Sequence, residues 1–251
     1  MAEGDTILRA KHRLDALVGQ VMAVSAPSNR GKATGVERLD GAVLQGVNTH
    51  GKNLMLLFGE LALHSHLGMS GSWHVYPHGA RWRRARGSAW VVLSGETHEA
   101  VQFGGPTLRL LPARRLTLDP RLARLGPDIL SPAFNAAQAR IQFRAADQGR
   151  TLGEMLLDQH LVSGIGNIFK SEACFAVRID PWRVLADLSD DELEAVLLAA
   201  REQMLDAVAN GRTAFSAYKH RGPCSRCGGR VLSRGQGDAN RTTWWCERCQ
   251  S

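Results

Sequence analysis

Cys224-Ser225-Arg226-Cys227 and Cys246-Glu247-Arg248-Cys249 are two C-x-x-C pairs with eighteen residues between them. Each pair can place two thiolates on one side of a tight turn, and a hairpin joining the pairs completes the tetrahedral sulphur set that zinc prefers. Two disulfides, or four unrelated thiols, are the competing readings. Neither accounts for pairs repeated at metal-site spacing, and nothing in the chain calls for an oxidising compartment. Four thiolates saturate the ion, so one structural Zn2+ is expected, with no open position for a water nucleophile.

Around these cysteines stand Lys219, Arg221, Arg226, Arg230, Arg234, Arg241 and Arg248, with Arg212 just before them, against only Asp238 and Glu247. Residues 212–251 thus carry eight cations and two anions, a net +6, where the whole chain carries +7. So basic a segment with so small a core reads as a polyanion-binding element stapled by metal. A merely solvated charged face is the alternative.

The rest of the 251 residues can hold one large or two modest domains. Charged content of 22% and hydrophobic content of 44% are those of an ordinary folded protein, without internal repeats. No apolar run is long enough to span a bilayer, and Met-Ala-Glu-Gly-Asp-Thr lacks the regions of a signal peptide, so a cytoplasmic protein with no membrane partner is expected. The basic balance points to nucleic acid. Cys174, in the apolar run Ala173-Cys174-Phe175-Ala176-Val177, is expected to be a buried, inert thiol.

Ile7, Ala10, Leu14, Leu17 and Val18 recur at helical spacing, and Gly19 follows where a helix would stop. Runs of strand length follow at 21–26, 42–47, 54–58, 61–64, 90–93, 99–103 and 107–111, punctuated by glycines. Closely spaced strands without intervening helices predict an antiparallel sandwich or barrel ending near Pro120. Beyond it the period changes. Asn135 can cap a helix through Ile141 and Phe143, Thr151 can cap 152–159, and Ser189-Asp190-Asp191-Glu192 is a capping box leading into 193–208. Gly164-Ile165-Gly166-Asn167 runs into a further helix at 167–175. Amides at such a helix start can approach an anion, and Asn167 adds a side-chain donor; G-x-G-N alone is a weak signal that reads first as a simple tight turn.

Ala2 is small enough that Met1 is expected to be removed, which leaves a free α-amine. Its ordinary pKa near 7.7–8.0 keeps roughly a tenth of it uncharged at pH 7, against less than about one part in a thousand for lysine. Only the neutral form attacks a carbonyl-like carbon, so such an amine suits Schiff-base chemistry, and Glu3 beside it could shuttle protons. An idle, frayed terminus is the reading that holds without further context.

That context comes from motifs taken in order. Ala2-Glu3-Gly4-Asp5-Thr6 opens the chain, followed by His50-Gly51-Lys52 and His66-Leu67-Gly68-Met69-Ser70-Gly71-Ser72-Trp73. Then come Leu156-Leu157-Asp158-Gln159, Gly164-Ile165-Gly166-Asn167-Ile168, Glu172, Asp180-Pro181, and the four-cysteine hairpin with Arg241-Thr242-Thr243. Over essentially its full length the chain resembles the family of formamidopyrimidine-DNA glycosylase and endonuclease VIII. The resemblance implies an α+β, multidomain protein: an N-terminal antiparallel β-sandwich (1–120), a helix-two-turn-helix domain (121–211) and a zinc-finger hairpin (212–251).

It also implies base-excision repair by a monomer acting, nucleoid-associated in a bacterial-type cytoplasm, on double-stranded DNA with damaged, often oxidised, bases or abasic sites. The base is flipped out and removed, and a Schiff base at the N-terminal amine permits β- and δ-elimination. By position, Ala2 would be the nucleophile and Glu3 the acid/base group. Lys52, Asn167 and Arg241 would contact phosphates beside the lesion, and Met69 would fill the gap in the stack; Cys224, Cys227, Cys246 and Cys249 would hold the zinc.

Two departures stand out. The family has proline where this chain has Ala2, so a primary amine replaces a secondary one, and a catalytically weakened or inactive damaged-DNA binder is the alternative expectation. Gly105-Pro106-Thr107-Leu108-Arg109 lacks the Arg-Arg-Phe run of formamidopyrimidine glycosylases, which leans the resemblance toward endonuclease VIII and predicts different reading of the partner base. Separately, Arg81-Trp82-Arg83-Arg84-Ala85-Arg86 could hug a nucleic-acid backbone, stack on a base, or be a plain exposed loop.

Overall fold

The computed structural model describes residues 2–212 and 215–250, which fall into two compact units, Met1–Arg124 and Leu125–Ser251. The expected removal of Met1 concerns a residue outside the described set.

The first unit opens with helix α1 (Gly4–Leu14), whose Ile7, Ala10 and Leu14 are buried at the predicted spacing. The helix stops at Leu14, and a short 3-10 turn over Asp15–Leu17 carries the pattern on to Gly19, where φ is +88°. Helix α2 (Asn29–Lys32) is a single turn. Eight strands follow the α1 turn: β1 (Ala23–Ser25), β2 (Gly46–His50), β3 (Asn53–Phe58), β4 (Leu61–His66), β5 (Ser72–Pro77), β6 (Ala89–Ser94), β7 (His98–Phe103) and β8 (Thr107–Pro112). They form two antiparallel four-stranded sheets, ordered β1-β6-β7-β5 and β2-β3-β4-β8. Leu54, Leu56 and Leu63 from one sheet join Val91, Leu93 and Ala100 from the other in one buried cluster, closed by Ile7 and Leu14. Each of these Leu, Ile and Val side chains withdrawn from water contributes roughly 1.5–3 kcal/mol, which makes the α1 face part of the sandwich core rather than an appendage.

The predicted strand at 42–47 is displaced: only an isolated bridge joins Val21 to Val43, and the ladder begins at Gly46. Strand β5 is absent from the sequence expectation, because its outward residues His74 and Tyr76 are large and the glycine-rich run before it reads as loop.

Helix α3 (Pro120–Ala123), capped by Asp119, ends the first unit. The second is built on α4 (Ala136–Ala145), α5 (Leu152–Met155), α6 (Asn167–Val177) and α7 (Asp190–Asn210). Asn135 accepts from Gln138 N, and capping boxes at Thr151/Glu154 and Ser189/Glu192 start α5 and α7 where the sequence places them. The predicted helix at 152–159 stops after Met155, because the chain turns back toward the loop at 164–166. Gln159 holds that turn, accepting from Gly164 N at 3.1 Å and donating to Ile165 O at 3.1 Å. The cysteine segment closes the unit as a hairpin of β9 (Val231–Gln236) and β10 (Arg241–Cys246) packed on α6.

Candidate functional site

In the first unit the expected residues lie around one loop, 67–71, between β4 and β5. Ala2, just before α1, packs its methyl on the sandwich core, and its backbone nitrogen donates to Gly68 O at 3.1 Å. Glu3 is the N-cap residue and is wholly buried. Its side chain does not cap the helix; its carbonyl does, accepting from Thr6 N at 2.9 Å. A carboxylate at this end of α1 sits where the helix dipole favours negative charge. Lys52 lies in the β2–β3 turn, and its charge reaches His66 at the end of β4. Burial, then this neighbouring cation, hold the His66 imidazole below its ordinary pKa.

The loop is shaped by glycines that nothing larger could replace. Gly68 has φ of +57°, and a Cβ there would come within 2.7 Å of the Pro106 ring. At Gly71 a Cβ would meet Leu67 O at 2.6 Å and Gly105 Cα at 2.9 Å. Pressed against Gly104-Gly105-Pro106, the loop holds Met69 at its tip, 66% exposed, an apolar side chain presented to solvent rather than packed in the core.

In the second unit Asn167 is the first residue of α6 and only 4% exposed. Its Nδ2 donates to Thr242 O at 2.6 Å, which ties the helix start to the residue after Arg241, the first residue of β10. The Asn167 helix start therefore lies against the beginning of β10, the strand that Arg241 opens. Their support comes from residues the sequence gave no role. Lys170 is fully buried, its Nζ donating to Thr243 Oγ1 at 2.6 Å; that hydroxyl donates to Gln236 Oε1 at 2.5 Å, and Gln236 Nε2 donates to Thr151 Oγ1 and Pro181 O, each at 2.8 Å. Glu172, quoted above only as part of a motif, accepts from the backbone nitrogens of Ser216, Ala217 and Tyr218. The available signal was a lysine and a glutamate in the apolar run of α6, where a charge is buried only if it is paired.

The four cysteine sulphurs lie within 4.8 Å of one another, with Cys224–Cys249 at 3.7 Å and Cys227–Cys246 at 3.5 Å. Zn–S bonds of about 2.3 Å in a tetrahedron put sulphurs about 3.8 Å apart, so the cluster fits a metal ion. Cys174 is outside it and buried, its thiol pushed up to about 12 chiefly by desolvation, which makes it inert as expected.

The departure near β8 also has a structural counterpart. Arg109 donates from Nη2 to His64 Nδ1 at 3.0 Å and to Asp119 at 2.5 Å, and His64 Nε2 pairs with Asn53 Oδ1 at 2.9 Å. Asp119 is held below the usual carboxylate range by the Arg109 hydrogen bond. Arg109 is thus committed to a bridge within the unit.

Residues 1–117 match the formamidopyrimidine-DNA glycosylase N-terminal domain and residues 125–219 the H2TH domain of the same enzymes. The chain is 36% identical over its full length to "Probable endonuclease 8 2" of Streptomyces coelicolor, covering 94% of that protein. It is 29% identical, over 100% of itself and 99% of the other, to "DNA-(apurinic or apyrimidinic site) lyase Nei2" of Mycolicibacterium smegmatis. In fold it is similar to the Lactococcus lactis formamidopyrimidine-DNA glycosylase bound non-covalently to abasic-site DNA, with a TM-score of 0.82, 22% identity and full coverage of both chains. With both family domains matched in order, and with the loop at Met69, the Asn167 helix start and the four-cysteine hairpin in place, the chain belongs to the formamidopyrimidine-DNA glycosylase and endonuclease VIII family.

Proposed function

We infer that the chain is a base-excision-repair DNA glycosylase with AP lyase activity. The observation that carries this is the Ala2 nitrogen, fixed on Gly68 O with Glu3 buried beside it at the head of α1. With Met1 removed, the neutral amine attacks C1′ of an extruded nucleotide. The N–C1′ bond forms as the glycosidic bond breaks, and the base leaves with a proton. Ring opening gives a Schiff base that acidifies the C2′ hydrogen; its loss expels the 3′ phosphate, and a second elimination expels the 5′ phosphate. Glu3 serves as the acid/base group, Lys52 and Arg241 neutralise phosphates next to the lesion, Asn167 donates a hydrogen bond to one, and Met69 occupies the vacated stack.

Alanine changes one step. A proline iminium is permanently charged, whereas the imine from Ala2 is an electron sink only while protonated, so elimination depends on a proton that Glu3 can supply. The silent-binder alternative is not favoured, since the Ala2 nitrogen that becomes the amine once Met1 is removed lies on Gly68 O with Glu3 buried next to it in sequence, and one relative is itself named a lyase.

The cysteine cluster is assigned one structural zinc, whose chemistry is to fix the hairpin carrying Arg241. The substrate is duplex DNA with damaged bases or abasic sites, taken by a monomer in the cytoplasm. The locked Arg109 leaves partner-base reading unlike that of the Arg-Arg-Phe enzymes and favours the endonuclease VIII branch. Borohydride trapping on abasic-site DNA tests the reading, using protein whose free Ala2 amine has been verified by mass spectrometry. A covalent adduct is expected, and none at any pH between 6 and 8 would remove the Schiff-base route.

A further inference from the structure

The arginine run 81–86 has no part in the site described above, yet the fold holds it firmly. Trp82 Nε1 donates to Glu99 Oε1 at 2.6 Å, and Glu99, on β7, is 5% exposed. One face of the Trp82 indole stacks on Tyr76, with ring centres 6.2 Å apart at 19°, and the Arg86 guanidinium lies 4.2 Å over the ring while also pairing with Glu99 at 3.5 Å. Arg83 N donates to Tyr76 Oη at 3.2 Å. Trp82 is engaged at its ring and at its nitrogen, so the reading in which it stacks on a DNA base is set aside. It is the anchor of the loop.

What the anchor presents is charge. Arg81, Arg83 and Arg84 are exposed and form no ion pair among the described residues. They line an open hollow of about 510 Å³ with the rest of the run. Arg84 also donates to Ser70 O at 3.4 Å, the carbonyl next to Met69, so the loop adjoins the tip that enters the stack. Arg83, Arg84 and Arg13 from α1 all bear on His74 of β5: after burial, these three cations are what hold its imidazole below the ordinary pKa. Three guanidinium groups with no ion pair among the described residues, beside a Glu99 carboxylate already held by Trp82 and Arg86, make a surface that repels cations and costs free energy until anions approach.

We propose that Arg81, Arg83 and Arg84 form a phosphate clamp that grips the DNA backbone beside the Met69 loop, independently of base sequence and of the cysteine hairpin. The guanidinium fork takes phosphate oxygens in pairs, and a loop pinned through Trp82 and Glu99 loses little freedom when it does so. The proposal rests on the DNA-repair reading above, and its test separates the two. Binding of the metal-loaded protein to a duplex with a tetrahydrofuran abasic analogue would be measured from 50 to 300 mM salt, for the wild type and for Arg81→Gln/Arg83→Gln/Arg84→Gln.

Each phosphate contact contributes about 0.9 to the slope of log affinity against log salt, so the triple variant is expected to lose roughly 2 to 3 from the slope. Its single-turnover rate at saturating DNA should stay within about twofold, because the amine and Glu3 are untouched. The matching Lys variants should keep most of the slope, since point charges suffice. An unchanged slope in the Gln variant would overturn the clamp, as would a full loss of slope in the Lys variant. A wild type with no salt dependence would instead sink the DNA-repair reading itself, and no adduct on borohydride trapping would remove its Schiff-base route while leaving the clamp to be judged on the slopes.

Discussion

Thr243→Val is the sharpest probe of how the hairpin is held. The substitution keeps the β-branched shape at a site with no exposed surface, so no cavity opens, and it removes one hydroxyl. That hydroxyl accepts from the buried Lys170 ammonium and donates to Gln236, which in turn joins α5 at Thr151 and the backbone at Pro181. A hydrogen bond to a charged group contributes about 1.5–3 kcal/mol and a neutral one about 1, so the loss should be roughly 3 kcal/mol. For a chain of this size that corresponds to a fall of about 10 °C in Tm. Urea unfolding of the metal-loaded protein measures it, with Thr243→Ser as the control, since serine keeps the hydroxyl and gives up only a methyl worth about 1 kcal/mol. A cost below about 1 kcal/mol for valine, or a larger cost for serine than for valine, would refute the network account.

Other expectations concern the metal and a buried histidine. Cys246→Ser should release the metal ion and change the fluorescence of Trp244 and Trp245, while Arg241→Ala should keep metal and fold yet weaken abasic-DNA binding; equal DNA affinity in both variants and the wild type would deny the hairpin its role. His64 is buried and accepts from Arg109 at Nδ1, and burial first, then that cation, lower its pKa to about 4. Because the unfolded chain takes up this proton near pH 6.5 and the folded one does not, the contribution is present above about 6.5. It is lost as pH falls toward 4, by up to about 3 kcal/mol. An NMR titration of the His64 ring giving a pKa at or above 6 would contradict this.

Local signals carried the sequence far where they were chemical. Asn135, Thr151 and Ser189 cap their helices because a short polar side chain meets an orphan amide within three residues, a relation wholly contained in the sequence. The four cysteines converge for the same reason: spacing fixes the knuckles, and a hairpin joins them. What could not be read depended on partners remote in sequence. Strand β5 is defined by pairing with β7, whose partners lie between Pro77↔His98 and Ser72↔Phe103, and Lys170 looks misplaced until Thr243, far later in the chain, is laid beside it. Arg109 reads as an available cation, and only the fold shows it spent on His64 and Asp119. At the candidate site, the stretch around Met69 was legible as a motif, but not that Ala2 would be tethered to it.

The burial of Lys170 bears on the order in which the molecule is made. Helix α6 is translated well before the strand that covers it, so its ammonium gains the Thr243 hydroxyl as a partner only when the final strand is laid over the helix. The post is made first, and the last segment hangs on it.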